Sequence, residues 1–92
     1  MATKETDLKN QCKDFLKAKG IFNVPLLAGL AAYKGLPDRF AFHKDKTYAL
    51  EFKAPKGKMS DHQIQFREDF EATGRNHIYL EVRAVEDLMT YF

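Results

Sequence analysis

Residues 35–53 read GLPDRFAFHKDKTYALEFK, and this stretch has the pattern of a β-hairpin. Two runs rich in aromatic and apolar residues, 39–43 and 46–53, flank the polar dipeptide Lys44-Asp45. A two-residue turn at this dipeptide joins antiparallel strands directly. The stretch therefore predicts a pair of strands around which the other elements are arranged.

Counting outward from the turn gives the register of this hairpin. His43 faces Lys46, and each step outward adds one pair until Asp38 faces Glu51. Directly opposed residues have Cβ atoms roughly 4.5–5.5 Å apart, and alternate side chains share a face, so Lys53 joins the pair. Two opposed carboxylates destabilise a hairpin unless a cation lies between them. The register therefore predicts a functional site at this end of the hairpin.

The predicted cluster combines two carboxylates with one ammonium group. Carboxylate oxygens are ligands for hard divalent cations, and an ammonium group beside them can position an anion or a water molecule. Opposite charges favour the charged form of a lysine, so we expect Lys53 to stay protonated beside Asp38 and Glu51. Its expected role is to hold a water molecule or a phosphate oxygen and not to act as a free base.

A first helix is predicted over residues 4–19. Leu8 and Cys12 belong to an apolar stripe at helical spacing, and Gly20 ends the helix. Cys12 is the single cysteine, and its place in the stripe predicts a buried thiol. Glu5 lies on the side of this stripe, at its N-terminal end. A site role for Glu5 and a solvent-exposed role favoured by the helix dipole are equally good interpretations.

A second helix is predicted over residues 61–73, with Ser60 as its N-cap. Phe66 and Phe70 define its inner face. Gln63 lies on that face, one turn before Phe66, at the helix start nearest to the predicted cluster. The pattern Ser-x-x-Gln is also that of a capping box, in which the glutamine bonds back to the backbone of the cap residue. Both roles for Gln63 remain open, and they are compatible.

The rest of the chain supplies two more strands and a third helix. Strands are predicted at 21–27, where a proline indicates an edge, and at 77–82, where apolar and polar residues alternate. Residues 28–36 are predicted to form a loop that approaches the cluster, and 54–59 a mobile basic loop. A short C-terminal helix is predicted with an inner face formed by Val85, Leu88, Met89 and Phe92. The order α-β-β-β-α-β-α, with a small mixed sheet, is α/β or α+β by pattern.

Length and composition limit the organisation of the protein. A chain of 92 residues has room for one domain, which we assign to 1–92. It buries a modest core, so dimerisation would add stability. The net charge of +2 is too small to predict nucleic-acid binding and does not oppose it. Because we find no long apolar run and no signal-peptide core, we expect an intracellular protein without a membrane span.

The predicted site lies in motifs that resemble a known nuclease superfamily. Pro37-Asp38 followed by Glu51-x-Lys53 resembles the PD-(D/E)xK signature, and the element order matches that superfamily's common core. Further stretches resemble its VRR-NUC branch over about residues 5–88: GLPD at 35–38, EFKA at 51–54, KMSDHQ at 58–63, Gly74, and VRAVEDL at 82–88. In length the chain is similar to stand-alone phage or bacterial members. The resemblance implies an α/β, restriction-endonuclease-like core and a divalent-metal-dependent endodeoxyribonuclease.

This resemblance implies roles for the residues at the hairpin end. Asp38 and Glu51 would bind Mg²⁺ or Mn²⁺, with the backbone carbonyl of Phe52 as a further ligand. Lys53 would orient or help to activate the attacking water molecule. A divalent cation lowers the pKa of bound water and stabilises the charge that develops on the phosphate.

The resemblance also implies one contribution from each of the first two helices. Gln63 would support the site from the second helix. Glu5 would be the acidic residue of the first helix, and Asp7 takes its place if the helical phase differs by one residue.

Basic residues flank the predicted cluster and are expected to contact the DNA backbone. These residues are Lys34, Lys56, Lys58 and Arg39. Backbone contacts position a substrate without reading its sequence, and we find no recognition helix or zinc finger. We therefore expect specificity for DNA shape, with branched DNA or a four-way junction favoured. Cutting two strands of a symmetric junction requires two sites, which predicts a homodimer. The expected location is the cytoplasm of a bacterium or a phage-infected host.

Two other interpretations compete with a nuclease. In the first, the chain retains the nuclease fold but is a non-catalytic module that binds nucleic acid or protein. In the second, Asp38, Glu51 and Lys53 form an ordinary surface salt-bridge cluster in a small α/β domain. Two opposed carboxylates destabilise the hairpin, and a site without catalytic function would gain nothing from them. This argues against the first alternative.

Overall fold

The computed structural model describes residues 4–26 and 33–92, and in these residues four strands form one mixed sheet that packs with three helices. The helices are α1 (Lys4–Ala18), α2 (Asp61–Ala72) and α3 (Glu86–Met89). The strands are β1 (Phe22–Pro25), β2 (Arg39–His43), β3 (Lys46–Phe52) and β4 (His77–Val82). The predicted order α-β-β-β-α-β-α and the α/β class are confirmed.

The sheet has the strand order β1-β2-β3-β4. The first three strands are antiparallel, and β4 runs parallel to β3 after the crossover through α2. The hairpin register is confirmed, from the pair His43 and Lys46 to the pair Arg39 and Leu50. Lys44 and Asp45 both have positive φ, 50° and 66°, which is the backbone of a tight two-residue hairpin turn. This turn therefore sets the register that brings the two carboxylates to one end.

One face of the sheet is covered by α1. Leu8, Cys12 and Leu16 of this helix are buried in the main core, together with Leu50 of β3. Burial raises the pKa of the Cys12 thiol to about 12, so this thiol stays protonated at neutral pH. The predicted apolar stripe and its buried structural thiol are confirmed.

The opposite face of the sheet carries aromatic side chains from β2, β4 and α2. Phe66 and Phe70 stack on each other, and both are partly buried, as the inner face of α2 requires. Phe70 also stacks on Phe40, and Phe66 contacts Tyr79. Because side chains alternate along a strand, Glu51 projects from this face, one residue beyond the core residue Leu50. The side chain of Glu51 therefore faces α2.

The C-terminal helix differs from the prediction. It is a single turn, and Met89, which we assigned to its inner face, is 55% exposed. The other three predicted inner-face residues are confirmed: Leu88 is buried in the core, and Val85 and Phe92 pack against the core from either side of the helix. Because the helix is a single turn, Met89, next to Leu88, points away from the core.

Two predicted segments lie partly beyond the described residues. Leu27, at the end of the predicted first strand, and 28–32, in the predicted loop, are outside them. In the described part of the chain, no helix combines the length and apolar character needed to cross a membrane.

Candidate active site

Asp38 is fixed to the end of β3 by two hydrogen bonds. Its backbone N–H donates to the carbonyl of Leu50 at 2.9 Å, and its Oδ2 accepts from the backbone N–H of Phe52 at 2.8 Å. The two bonds bracket Glu51, the residue between Leu50 and Phe52. Asp38 and Glu51 therefore lie together, as the register predicted.

Glu51 is a buried carboxylate, with 3% of its surface exposed. Its Oε1 accepts a hydrogen bond from Gln63 Nε2 at 2.6 Å and lies 3.6 Å from the Lys53 ammonium. Its Oε2 is buried and has no hydrogen-bond partner among the described residues. Burial first, and then the charge of Asp38, raises the pKa of Glu51 from 4.5 to about 7, while Lys53 and Lys9 oppose the rise.

Gln63 makes contacts that are compatible with both of the roles that its sequence position left open. Its Oε1 accepts from the backbone N–H of Ser60 at 2.8 Å, and its backbone N–H donates to Ser60 Oγ at 3.2 Å. The capping box is therefore confirmed. The other end of the amide, Nε2, donates to Glu51. The start of α2 and the buried carboxylate are thus connected through one side chain.

The first helix reaches the cluster through Lys9, which sequence reasoning missed. The Lys9 ammonium lies 3.5 Å from Asp38 Oδ1 and 3.8 Å from Glu5 Oε1. Glu5 therefore lies next to the site, with a lysine between it and Asp38. Asp7 is exposed and roughly 200° around the helix from Glu5, which favours Glu5 as the residue near the site. The sequence feature that could have indicated Lys9 is its position four residues after Glu5, a spacing at which opposite charges pair on a helix.

Tyr79 is a second residue near the cluster that the sequence did not indicate. Its hydroxyl is buried without a hydrogen-bond partner among the described residues. Burial first, and then the charges of Glu51 and Asp38, raises the pKa of this phenol above its usual value. The tyrosine stays neutral and sits within electrostatic range of both carboxylates.

A cleft of about 450 Å³ opens between residues 33–38 and the start of α2. Both candidate carboxylates line it, and we call it the carboxylate cleft. Gly35 brings its two walls together: a Cβ added there would lie 2.2 Å from the backbone oxygen of His62. Gly35 also has φ of +87°, which favours glycine. Only glycine gives this close approach at this position.

The predicted DNA-contacting residues are distributed unevenly around the cluster. Lys34 lines the carboxylate cleft, and Lys56 and Lys58 are exposed in the segment after β3. Arg39 is placed differently. It pairs with Leu50 and so projects from the α1 face, where its guanidinium donates to Asn23 Oδ1. The structure does not bring Arg39 to the face that carries Glu51.

The loop predicted as mobile is anchored at its start by Arg83, which sequence reasoning also missed. One guanidinium nitrogen of Arg83 donates to the carbonyl of Ala54 at 2.8 Å and to that of Pro55 at 3.3 Å. The second terminal guanidinium nitrogen of Arg83 forms an ion pair with Glu81. Gly57 closes a tight turn by donating its N–H to Ala54 at 2.9 Å. This turn carries Lys56 at a defined position beside β3.

The donors at this site fit a small, hard divalent cation. Within the described part of the chain, Glu51 Oε2 is buried without a hydrogen-bond partner and is an available anionic ligand, and a backbone N–H holds one oxygen of Asp38. In residues 4–26 and 33–92, no cluster of three His, Cys, Asp or Glu side chains is arranged to hold a metal. Asp38 and Glu51 are therefore the two side-chain ligands that the site offers, and the Phe52 carbonyl stays a prediction. Mg²⁺ and Mn²⁺ suit such oxygen donors, and Mg²⁺ retains several water ligands in such sites.

A comparison with solved structures identifies the fold. The chain is similar to a structure described as a VRR_NUC domain, with a TM-score of 0.76 and 24% sequence identity. The similarity covers 99% of this chain and 99% of that one. No protein-family model matches the sequence, and no curated protein matches it. The fold expected from the sequence, that of a VRR_NUC domain, is therefore confirmed.

Proposed function

We propose that this chain, with the fold of a VRR_NUC domain, is a divalent-metal-dependent endodeoxyribonuclease of the VRR-NUC type. One observation carries the proposal. Glu51 is buried beside Asp38; among the residues that the structure describes, one of its oxygens has no hydrogen-bond partner, and a lysine lies 3.6 Å from the other. Burying a charge is costly unless something compensates it. A cation bound by these carboxylates, as the proposed nuclease requires, would compensate this charge.

Each residue of the site would have its own role in phosphodiester hydrolysis. Asp38 and Glu51 would hold Mg²⁺ or Mn²⁺, which supplies a more acidic bound water and neutralises phosphate charge. Gln63 holds Glu51 Oε1, which would leave Oε2 to bind the cation. Lys53, 3.6 Å from Glu51 Oε1, would hold the water molecule or a phosphate oxygen. Lys9, beside Asp38, adds a second positive charge where the anionic substrate approaches.

Basic residues outside the site would contact the DNA backbone. Lys34 lines the carboxylate cleft, and Lys56 and Lys58 lie in the exposed segment anchored by Arg83. Contacts of this kind supply affinity that depends on salt and not on sequence. We propose branched DNA, such as a four-way junction, as the substrate and the bacterial or infected-host cytoplasm as the place of action.

Removing either a metal ligand or the lysine is expected to slow cleavage strongly. Asp38→Asn and Lys53→Ala should each reduce the cleavage rate roughly 100-fold or more, since each removes a charge that the reaction uses. The measurement is cleavage of labelled junction, flap, splayed and duplex DNA with Mg²⁺, Mn²⁺ or EDTA. Matched controls at the far end of the hairpin, Asp45→Asn and Lys46→Ala, should cleave like the wild type.

The outcomes of this assay separate the candidate functions. Cleavage that persists in Asp38→Asn and Lys53→Ala would remove the site from consideration. If the wild type binds DNA but cuts none of the substrates with either metal, the chain is a non-catalytic binding module. Activity in EDTA would contradict the metal requirement.

The proposed action on two strands requires two copies of the site. A homodimer related by a twofold axis would supply them. Light scattering at micromolar concentration is expected to give twice the mass of 10.6 kDa calculated for one chain. A monomer under these conditions would contradict the dimer and leave the single-site nuclease unaffected.

A further inference from the structure

The chemistry proposed above uses only one part of the carboxylate cleft. Asp38, Glu51 and Gln63 belong to the catalytic cluster, but the cleft extends past them to Leu26, Tyr33 and the residues that follow Tyr33. Its volume of about 450 Å³ lies in the range of pockets that enclose small organic ligands. A phosphate held at the carboxylates would fill little of this space. The remaining part of the cleft is therefore available for the nucleotide next to the scissile phosphate.

An exposed aromatic ring lines this remaining part. Tyr33 is 57% exposed, and of the exposed large apolar side chains in the described part of the chain it alone lines the cleft. Exposed aromatic rings beside basic residues are the groups on which proteins stack unpaired bases. Lys34 follows Tyr33 directly and lines the same cleft, where it can pair with a phosphate.

The ring of Tyr33 rests on a firm support. It meets Phe66 edge to face, with ring centroids 6.0 Å apart and planes at 69°. Phe66 in turn stacks on Phe70, and Phe70 stacks on His77 of β4. A ring held by a packed aromatic row loses little conformational freedom when a base stacks on it.

From this arrangement we infer that the carboxylate cleft binds one unpaired nucleotide, whose base stacks on Tyr33 while its phosphate lies at Asp38 and Glu51. The inference rests on the proposed nuclease function and gives it a substrate class. A base in duplex DNA is already stacked on both neighbours and must leave the helix to enter a pocket. The enzyme therefore cuts beside unpaired nucleotides, such as those of a splayed end or an opened branch point, and cuts continuous duplex slowly.

The test combines a change in the protein with a change in the DNA. The cut site is first mapped with the wild type on a splayed substrate. Each nucleotide flanking the cut is then replaced in turn by an abasic nucleotide, which keeps the phosphate and removes the base. The wild type is compared on these substrates with Tyr33→Ala, Tyr33→Leu and the aromatic control Tyr33→Phe.

Stacking predicts a specific pattern of rates. Tyr33→Ala should lower kcat/KM on the intact substrate by roughly 10-fold to 100-fold, because stacking on one ring is worth this much. On the substrate that lacks the stacked base, wild type and Tyr33→Ala should be equal. Tyr33→Phe should match the wild type, whereas Tyr33→Leu, which keeps apolar bulk without a ring, should not. Equal losses for Tyr33→Ala on intact and abasic substrates would overturn the inference and give Tyr33 a structural role.

A binding measurement separates failure of this inference from failure of the nuclease proposal. 2-Aminopurine is placed at successive unpaired positions near the branch, and its fluorescence is followed on binding in EDTA at low salt. Stacking on Tyr33 should quench it at one position in the wild type and in Tyr33→Phe, and not in Tyr33→Ala. Quenching without any cleavage would retain the nucleotide site and reject the nuclease. Cleavage with no Tyr33-dependent quenching or rate effect would retain the nuclease and reject the nucleotide site.

Discussion

At about pH 8 and without divalent metal, Glu51→Gln is expected to stabilise the protein while it abolishes cleavage. Burial and the neighbouring Asp38 raise the pKa of Glu51 from 4.5 to about 7, so its ionised form is unfavourable in the folded chain. Each pKa unit corresponds to about 1.4 kcal/mol, which gives a cost on the order of 3 kcal/mol above neutral pH. Glutamine removes this charge and can still accept the hydrogen bond from Gln63.

The sign of the pH dependence follows from the direction of this pKa. The folded chain binds the Glu51 proton more tightly than the unfolded chain does, so protonation contributes stability below about pH 4.5. This contribution is lost as the pH rises through about 7. The difference in unfolding free energy between wild type and Glu51→Gln should therefore grow over this window and then level off. Urea denaturation of both proteins in EDTA, at a series of pH values, measures this difference directly.

A divalent metal should reverse the order of stability if Glu51 is a ligand. Mg²⁺ or Mn²⁺ at about pH 8 should raise the Tm of the wild type, because it binds the folded state and neutralises the buried charge. It should leave Glu51→Gln nearly unchanged. Glu68→Gln, at an exposed position of α2, is the matched control and should stay within about 0.5 kcal/mol of the wild type. If the metal-free Glu51→Gln protein is less stable than the wild type, the prediction that ionised Glu51 destabilises the folded chain is wrong.

The hairpin could be predicted from the sequence because its geometry is local. A two-residue turn at Lys44-Asp45 determines every pair out to Arg39 and Leu50, which brings the next residues, Asp38 and Glu51, together without any distant residue. The capping box of Ser60 and Gln63 is local for the same reason. Local sequence patterns were therefore sufficient to predict the part of the site that lies on the hairpin and at the start of α2.

Contacts between distant segments could not be predicted in this way. Lys9 reaches Asp38 and Arg83 reaches Ala54 only because α1 and β4 pack beside β3, and a solvated lysine or arginine has the same sequence pattern. The burial of Glu51 likewise depends on α2 covering its face of the sheet. Arg39 is a different case, because the register already placed it opposite Leu50, on the other face from Glu51. Its assignment beside the cluster followed its closeness in sequence and ignored this alternation.

Gly35→Ala is expected to be the most destabilising of the small substitutions around the cleft. An added Cβ would lie 2.2 Å from the backbone oxygen of His62, 2.4 Å from its carbonyl carbon and 2.9 Å from the backbone nitrogen of Gln63. These are backbone atoms of the start of α2, so no side chain can rotate to relieve the contact. The positive φ of +87° adds a conformational cost. Together the two effects predict a loss of roughly 2–5 kcal/mol in unfolding free energy.

Gly20→Ala is the matched control for this substitution. Gly20 also has a positive φ, of +70°, but a Cβ there would meet nothing within 4 Å. It should therefore lose only the conformational part, about 1–2 kcal/mol. Denaturation of both variants isolates the contact with α2 by difference, and equal losses would mean that the close approach at Gly35 has little energetic weight.

Gly35→Ala should also impair cleavage in the fraction that remains folded. Relief of the contact moves the start of α2 away from residues 33–38, and with it Gln63, which holds Glu51 at 2.6 Å. The cleavage rate per folded molecule should then fall for Gly35→Ala and not for Gly20→Ala. A folded Gly35→Ala protein with the wild-type rate would show that the catalytic carboxylates do not depend on the close packing of the two cleft walls.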